Sequence, residues 1–399
     1  MRVLYLYDGE WPKGATRVRK ESRVLAAAGH QVDLVARNAE NAPTREAESW
    51  MTVWRLPRFP GRHLRYALNF PLFINPVWLF TIWRVARRTG TELILVCDLP
   101  LAPCAVWLGR LLGVPVHYDM GEIYPEFLRS LRQLERQGPL KRLIRTPRLA
   151  EWVERPVLRS VACTYVVSDE SRDRCVRLGV SPERVVIVGN TPESLPDLSR
   201  PETVPADVAD WVRDGREILL FVGIIIADRG VLDVIRAIPA LQTQRPKAAL
   251  VVVGDGPERP VLEREVRALG LEGSVRLLGW KVPEVLVGYY RAGQIGLLPF
   301  RDSPHVRLTL ANKLFDYMGA GLAILASDLP STRRVLLETG GGRLHIPDSA
   351  ADIARAAAEM LEDLPGRRTM GANGRHAAET VYSWERDAER LREAVLHLR

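Results

Sequence analysis

Three polar side chains in the second half of the chain have a spacing that suits the binding of a small ligand. Asn312, Lys313 and Asp316 lie within "ANKLFDYMGAG", and "RLTLANKLFDYMGAGLAILASDLP" as a whole predicts a helix, a glycine stop and a buried strand. Residues three and four apart share or adjoin one helix face. An ordinary surface pair between Lys313 and Asp316 is the alternative, but the glycines and the apolar strand that follow favour a functional site.

Other candidate residues follow predicted strands. Arg229 and Gly230 come after "FVGIII" at the start of a predicted helix, where a cation beside free backbone donors suits a diphosphate. Gly14, in "YDGEWPKGAT", precedes a helix whose free N–H groups could receive a phosphate. Trp280 ends "SVRLLGW" and either borders a nucleotide base or packs against the protein. A solvated arginine and an ordinary strand-to-helix turn are the alternatives for the first two sites.

Two carboxylates in the first half could handle protons or hold sugar hydroxyls. Asp119 and Glu122 lie in "VHYDMGEIYPE", after a predicted buried strand. Positioned carboxylates are common general acids and bases. Helix capping by Asp119 is the alternative interpretation.

The predicted elements form two doubly wound α/β domains. Strands such as "RVLYLY" and "EILLFVG" alternate with helices of 10 to 15 residues, a pattern typical of parallel sheets covered on both faces. We predict an N-terminal domain over residues 1–193 and a C-terminal domain over residues 194–380, facing a central cleft. The stretch from Thr191 to Asp207 carries four prolines and predicts a linker, and the helix in residues 381–399 is expected to pack back on the first domain.

Composition and charge limit the class of protein. The 399 residues are 47% hydrophobic and 26% charged, as in a globular protein. The net charge of +8 is confined to the first half, since residues 1–193 hold 29 Lys and Arg against 20 Asp and Glu. That half should face an anionic partner. The first residues indicate a strand rather than a signal peptide, so we expect a cytoplasmic protein.

A membrane surface is the anionic partner that the sequence favours. Residues Ala67 to Arg88 contain 14 apolar positions, five of them aromatic, and end in arginines. Prolines leave too few unbroken residues to cross a bilayer, so this is either a core helix or a helix lying in the membrane interface. The stretch "LKRLIRTPRLAEWVERPVLRS" adds a second basic segment. Nucleic acid is not an expected partner, because no recognition motif accompanies the charge.

The cysteines do not suggest chemistry. They show no CxxC pair and no histidine at ligand spacing, so we expect buried thiols and no metal site. The four residues are Cys97, Cys104, Cys163 and Cys175.

These motifs resemble those of the GT-B glycosyltransferases of family 4, which are retaining and use nucleotide-sugars. "ANKLFDYMGAGLAILASDLP" is similar to that family's "PNKLFEYMAxGxPVIASD", and "VHYDMGEIYPE" to its "VYDxHExYPE". "AAAGHQVDLV", "VVIVGNTPE" and "FVGIIIADRGVLDVIRA" fall in the family's order, so the resemblance covers nearly the whole chain.

The resemblance implies roles for several residues. Asp316 corresponds to the acid that holds the ribose hydroxyls of the nucleotide, and Arg229 to a residue that contacts the diphosphate. Asn312 and Lys313 flank the same pocket, and the loop with Gly14 would close over the phosphates. The implied reaction is transfer of a sugar to a lipid-linked or cell-surface glycan at the inner face of the cytoplasmic membrane, without a cofactor or metal.

Three positions depart from the family pattern. Leu308 stands where the family has a first acid, Gly121 where it has a histidine, and Ile224 where it has a first diphosphate-binding arginine. A non-catalytic subunit that scaffolds or activates a partner transferase is therefore the alternative hypothesis.

Overall fold

The chain forms two compact units. The computed structural model describes residues 1–38, 42–59, 73–134, 146–197 and 204–397. Unit 1 comprises Met1–Gly189 and Glu385–Arg399, and unit 2 comprises Asn190–Trp384. The sequence analysis put the boundary at residue 193, and the observed division falls between Gly189 and Asn190.

Unit 1 is built on a mostly parallel sheet. Its strands are β1 (Arg2–Glu10), β2 (Gln31–Arg37), β3 (Arg45–Ala47), β4 (Met51–Arg55), β5 (Leu93–Cys97), β6 (Val116–Met120), β7 (Cys163–Val166) and β8 (Val185–Ile187). Among the described residues, the order is β3-β4-β2-β1-β5-β6-β7-β8, and β3 runs antiparallel to β4. The helices are α1 (Thr16–Ala27), α2 (Pro76–Thr89), α3 (Ala102–Leu112), α4 (Tyr124–Leu134), α5 (Pro147–Ser160) and α6 (Asp169–Arg177). Strands β5 and β6 are buried along their whole length.

Unit 2 repeats the architecture. Its strands are β9 (Glu217–Val222), β10 (Ala248–Val253), β11 (Val275–Leu277), β12 (Ile295–Leu298), β13 (Ala323–Ser327) and β14 (Gly342–His345). They are parallel, in the order β11-β10-β9-β12-β13-β14 within the described part of the unit. The helices are α7 (Ala206–Arg213), α8 (Val231–Gln244), α9 (Arg259–Ala268), α10 (Leu286–Ala292), α11 (Asn312–Gly319), α12 (Pro330–Thr339), α13 (Ala350–Glu362) and α14 (Leu364–Thr380).

Both units are doubly wound α/β folds, which confirms the predicted fold class. In unit 2 the strand order reverses between β9 and β12, and the crevice at the carboxyl ends of the strands beside such a reversal is where open α/β sheets bind ligands. The last helix, α15 (Trp384–His397), continues the chain from unit 2 into the C-terminal segment that belongs to unit 1.

Close backbone contacts fix the loops at this edge of unit 2. Gly230 has φ +64°, and a Cβ there would come 1.7 Å from the carbonyl oxygen of Pro299. Gly254 has φ +148°, and a Cβ there would come 1.8 Å from the oxygen of Gly223. The loops after β9, β10 and β12 therefore meet backbone to backbone, which only glycine permits.

The predicted linker is partly wrong. Asn190–Asp197 belongs to unit 2, where Thr191 is buried and Leu195 packs on the apolar core. Residues 198–203 lie outside the described part of the chain, and α7 begins at Ala206. The proline-rich composition suggested a tether because it carries little apolar area, but Leu195 and the buried Thr191 help to dock the segment on unit 2.

The described part of the apolar segment of unit 1 is a helix with one buried face, as the core-helix interpretation predicts, and the membrane-interface interpretation stays a prediction. Residues 60–72 are outside the described part, and the rest forms α2, which starts at Pro76 with Asn75 as N-cap. Trp78 and Ile82 lie in the core, whereas Phe80 and Trp83 are exposed. Across the described residues, no helix is long and apolar enough to cross a membrane.

Replacement of Gly230 by alanine should destabilise unit 2 strongly. The new methyl group would meet the Pro299 oxygen in a backbone conformation that side chains disfavour, so we expect a loss of about 3 kcal/mol or more in the free energy of unfolding. Gly270→Ala is the matched control, because Gly270 has φ +65° but no atom within 4 Å of its Cβ position. Denaturant unfolding of both variants measures the difference, and equal losses would contradict the steric argument.

Candidate functional site

Two adjoining cavities lie at the predicted ligand edge of unit 2. The strand-end cavity, of about 450 Å³, is lined by Val222, Gly223, Ile224, Val253, Gly254, Asp255, Trp280, Lys281, Pro283, Leu286 and Lys313. The helix-side cavity, of about 340 Å³, is lined by Pro192, Ser194, Leu195, Pro196, Pro283, Leu286, Val287, Tyr290, Lys313 and Asp316. Three residues, among them Lys313, line both cavities, so a single elongated ligand could occupy the two.

Lys313 and Asp316 form an ion pair at the junction of these cavities. Lys313 Nζ lies 2.7 Å from Asp316 Oδ2, and the two side chains are 28% and 25% exposed. Lys313 Nζ is also 3.5 Å from the hydroxyl of Tyr290, whose pKa is raised first by burial and then by the Asp316 charge. The surface pair considered as the alternative is thus present, but it lines a cavity rather than open solvent.

Helix α11 presents this pair because its other face is apolar. Leu314, Phe315 and Met318 are buried in the core of unit 2, as the sequence predicts. The helix begins at Asn312, later than predicted, because residues 304–308 form turns in which the amide of Leu308 bonds to the oxygen of His305. Leu308 therefore does not extend the face that carries Asp316.

The other predicted residues of unit 2 are placed differently. Trp280 lines the strand-end cavity and is 69% exposed. Arg229 and Gly230 directly precede α8, as predicted, and the Arg229 guanidinium lies 4.4 Å from the ring centroid of Phe300. Asn312 is exposed at the start of α11. The described residues that line the two cavities do not include these last three.

A cavity of about 880 Å³ shares Trp280 and Lys281 with the strand-end cavity. Its polar groups already bind one another, since Asp207 accepts hydrogen bonds from Lys281 at 2.8 Å and from Tyr289 at 2.9 Å. We place the candidate ligand site in the two smaller cavities, because Lys313 and Asp316, which the sequence singles out, line these and not the larger one.

In unit 1, Asp119 lies within β6 and is completely buried. Arg17 donates to both of its carboxylate oxygens, with Nη2 at 2.6 Å from Oδ1 and Nε at 2.9 Å from Oδ2. Arg17 also pairs with the buried Glu21 at 3.1 Å, and the hydroxyl of Tyr5 bonds to Glu21 at 2.5 Å. The proton-handling role predicted for Asp119 is therefore revised, because its carboxylate is committed to holding Arg17 and does not face solvent.

Asp98 is the carboxylate that the sequence analysis missed. It follows β5 with φ +63° and ψ +160°, a conformation that is nearly restricted to glycine and costs of order 1–3 kcal/mol. Its Oδ1 accepts the backbone N–H of Glu122 at 3.2 Å, which ties it to the second predicted carboxylate, whose side chain is exposed. Burial, and then the charges of Asp119 and Glu122, raise the pKa of Asp98 to about 7. The one sequence signal was an acidic residue directly after the buried "LILVC" strand.

Three further observations bear on the chemistry of the candidate site: the pKa of Asp98, the conformation of Gly14 and the grouping of potential metal ligands. A carboxyl group whose pKa is raised to about 7, as that of Asp98 is, suits proton exchange near neutral pH. Gly14 has φ +68° and lies two residues before α1. No cluster of three or more potential metal ligands occurs among the residues that the structure describes.

The raised pKa of Asp98 should make stability depend on pH. Since the pKa is about 7 in the folded protein and lower when the chain is unfolded, the unfolded chain releases this proton first as pH rises. The wild type should therefore lose stability between about pH 4 and pH 7 relative to Asp98→Asn, which keeps the acceptor for the Glu122 amide but cannot ionise. Melting temperatures at pH 5, 6, 7 and 8 test this, and a difference that stays constant over that range would refute it.

Comparison with known proteins agrees with this architecture. Residues 14–191 match the family model "Glycosyl transferase 4-like domain", and residues 216–363 match "Glycosyl transferases group 1". The alpha-D-kanosaminyltransferase of Streptomyces kanamyceticus is 26% identical over 287 residues, which is 71% of each chain. The phosphatidyl-myo-inositol mannosyltransferase of Mycolicibacterium smegmatis is 30% identical over 153 residues, 38% of each chain.

Solved structures share the fold. HepE from Anabaena, solved in complex with UDP, superposes with a TM-score of 0.70 over the full length of both chains at 15% sequence identity. Together with the two family matches, which cover most of the sequence and correspond to the two units, this establishes the class of the protein. The chain is a glycosyltransferase of the GT-B type and belongs to the group 1, or family 4, glycosyltransferases.

Proposed function

We propose that this glycosyltransferase moves a sugar from a nucleotide-sugar to a lipid-linked or membrane-proximal glycan acceptor, with retention of configuration. The observation that carries the proposal is the Lys313–Asp316 pair at the junction of the two cavities in unit 2. The reaction forms a bond between the anomeric carbon and an acceptor oxygen. It breaks the bond from that carbon to the diphosphate, which leaves with the bonding electrons as the acceptor hydroxyl loses its proton.

Unit 2 supplies the donor side of this reaction. Asp316 accepts hydrogen bonds from the ribose hydroxyls, and Trp280 borders the base in the strand-end cavity. Lys313, with Arg229, compensates the charge that develops on the diphosphate. The solved complex of HepE with UDP supports a nucleotide in this fold.

Unit 1 supplies the acceptor side. We assign the proton of the attacking hydroxyl to Asp98 and Glu122, because the pKa of Asp98 is raised to about 7 and its carboxylate accepts the backbone N–H of Glu122 at 3.2 Å. Retention follows from attack on the face from which the diphosphate departs, so a covalent sugar–carboxylate intermediate is not required. The loop that carries Gly14 would add backbone donors to the phosphates. No cofactor or metal is part of this scheme.

The acceptor class is inferred from an exposed surface of unit 1. We call it the aromatic–arginine surface, and it lies on α2, α3 and α5, where α3 packs beside each of the other two. Its exposed aromatic residues are Phe80, Trp83, Trp107 and Trp152, and its exposed arginines are Arg84, Arg87, Arg88, Arg110, Arg148, Arg155 and Arg159.

The spacing on α5 makes this surface suited to a lipid interface. Arg148, Trp152, Arg155 and Arg159 recur at intervals of three and four residues, which puts them on one helix face. Trp152 is 74% exposed. Indole rings favour the headgroup region, and arginines favour anionic lipid. This surface supports action at the inner face of the cytoplasmic membrane.

Loss of the Asp316 carboxylate should abolish most donor binding. A hydrogen bond to a charged group contributes about 1.5–3 kcal/mol, so Asp316→Ala should weaken nucleotide binding roughly 10- to 150-fold. Thermal shift against UDP-, GDP- and dTDP-sugars identifies the donor, and titration with the corresponding nucleoside diphosphate gives the dissociation constants. Release of that diphosphate measures turnover.

Glu359→Ala is the control for this experiment. It removes the exposed ion pairs of Glu359 with Arg343 and Arg355 in unit 2 but lines neither cavity. Unchanged nucleotide affinity in Asp316→Ala would refute the assignment of Asp316. The same assay decides the alternative of a non-catalytic subunit, which the exposed Ile224 at the strand-end cavity motivates. Turnover by the purified protein alone would exclude that alternative.

Neutralising three arginines of α2 should reduce membrane binding. Each basic residue near an anionic surface contributes about 1 kcal/mol, so the triple variant Arg84→Gln, Arg87→Gln, Arg88→Gln should bind roughly a hundredfold more weakly. Sedimentation with vesicles of phosphatidylglycerol and phosphatidylcholine measures the change. Binding by the wild type should fall in high salt and be weak with phosphatidylcholine alone.

The matched control removes the same charge elsewhere. Arg213, Arg264 and Arg267 are exposed on helices of unit 2, and their replacement by glutamine should leave vesicle binding nearly unchanged. Equal losses in both triple variants would show that only net charge matters. Wild-type protein that does not sediment with anionic vesicles would refute the membrane assignment.

A further inference from the structure

The segment that leads the chain into unit 2 is held by backbone contacts. We call Asn190–Asp197 the crossing segment. Arg375 Nη1 donates to the carbonyl oxygen of Pro196 at 2.8 Å, and Arg291 Nη2 donates to that of Asp197 at 3.0 Å. These bonds end on main-chain oxygens, so they fix the path of the segment whatever its side chains are.

The crossing segment is also coupled to the helix that carries Asp316. The same Arg375 donates to the oxygen of Gly319 at the end of α11. Leu195 packs on Gly319 so closely that a Cβ there would come 2.8 Å from the Leu195 Cδ2. One guanidinium and one close apolar contact therefore hold the segment and α11 in a fixed relation.

This arrangement makes the crossing segment one wall of the helix-side cavity. Pro192, Ser194, Leu195 and Pro196 line it together with Tyr290, Lys313 and Asp316 of α10 and α11. Ser194 is exposed and contributes the one hydroxyl that the segment brings to that wall. A hydroxyl both donates and accepts hydrogen bonds, whereas an ionised carboxylate accepts only. The hydroxyl of Ser194 can therefore donate a hydrogen bond to a ligand, which the carboxylate of Asp316 cannot do.

We propose that Ser194 is a second hydroxyl-binding group of the nucleotide site, and that the bound nucleoside further stabilises the crossing segment. The inference rests on the proposed function, in which Asp316 accepts from the ribose. Ribose presents adjacent hydroxyls that each donate and accept, so Asp316 takes their protons and Ser194 supplies a donor to their oxygens. A nucleoside held this way contacts the chain within five residues of its entry into unit 2 at Asn190.

Hydrogen bonds hold the chain on both sides of Ser194. On the unit 1 side, Arg17 Nη1 donates to the oxygens of Val188 at 2.9 Å and Gly189 at 3.3 Å, so that end is anchored too. Residues 190–194 belong to unit 2 and lie between these two sets of hydrogen bonds. A ligand in the helix-side cavity would contact this part of the segment directly.

Two substitutions at Ser194 test the proposal without disturbing the core. The probe is whichever of uridine, guanosine or thymidine diphosphate gives the largest thermal shift with the wild type. Ser194→Ala should raise its dissociation constant about three- to tenfold, as expected for one hydrogen bond. Ser194→Phe should raise it more than tenfold by filling the cavity. Because the side chain is exposed, both variants should melt as the wild type does when no nucleotide is present.

Hydrogen exchange provides a second readout. Addition of the nucleoside diphosphate should slow exchange in peptides covering residues 190–197 as well as in those covering α11, while peptides covering residues 264–272 stay unchanged. Ser181→Ala is the matched control, since Ser181 is an exposed serine of unit 1 whose side chain caps no helix.

The outcomes separate this inference from the function beneath it. Nucleotide binding that protects α11 but leaves both the Ser194→Ala affinity and the exchange of residues 190–197 unchanged would overturn the role of the crossing segment and leave the donor site standing. Absence of binding by all three nucleoside diphosphates would overturn the proposed function and this inference together.

Discussion

The hydroxyl of Tyr317 hydrogen-bonds to the backbone of β9 beyond the last residues that pair with β12. This is the point where the strand order of the unit 2 sheet reverses. Strand β12 pairs with β9 only at Ile295 and Gly296. Beyond them, the amide of Val222 donates to the Tyr317 hydroxyl at 2.9 Å, and that hydroxyl lies 3.4 Å from the oxygen of Leu220. The ring fits because position 296 is glycine, where a Cβ would come 2.8 Å from it. The buried phenol of Tyr317 thereby gives the Val222 amide a hydrogen-bond partner where no neighbouring strand does, and the crevice lies beside this point.

This bond also connects the two elements that carry the site. Tyr317 is one residue from Asp316, and Val222 is followed by the Gly223–Ile224 loop that lines the strand-end cavity. A buried amide left without its partner costs about 1–3 kcal/mol, so α11 and the end of β9 stay together. The backbone contacts of Gly230 and Gly254 add further fixed points around the same edge. The cavities are therefore shaped in part by side chains that do not line them, such as Tyr317.

Much of the fold could be read from the sequence because its signals are local. Strand and helix periodicity identified both doubly wound units, and the apolar face of α11 was predicted residue by residue. The errors concern partners that are distant in the chain. The sequence could not show that Asp119 pairs with Arg17, which is 102 residues away in the chain. Nor could it show that the predicted linker is bound at Pro196 by Arg375, 179 residues away. Asp98 was missed because its backbone strain and its neighbours appear only in three dimensions.

The Lys313–Asp316 pair is better understood as a means of orienting the two groups than as a source of stability. Both side chains are about a quarter exposed, and such pairs contribute at most about 1 kcal/mol to folding. That weakness suits the proposed function, since a diphosphate can draw Lys313 away while Asp316 turns to the ribose hydroxyls at small cost. Without a donor, the pair keeps a carboxylate neutralised beside a buried phenol, Tyr290. With a donor, Lys313 exchanges one anionic partner for another, whereas Asp316 exchanges the ammonium of Lys313 for neutral ribose hydroxyls that donate hydrogen bonds to its charge.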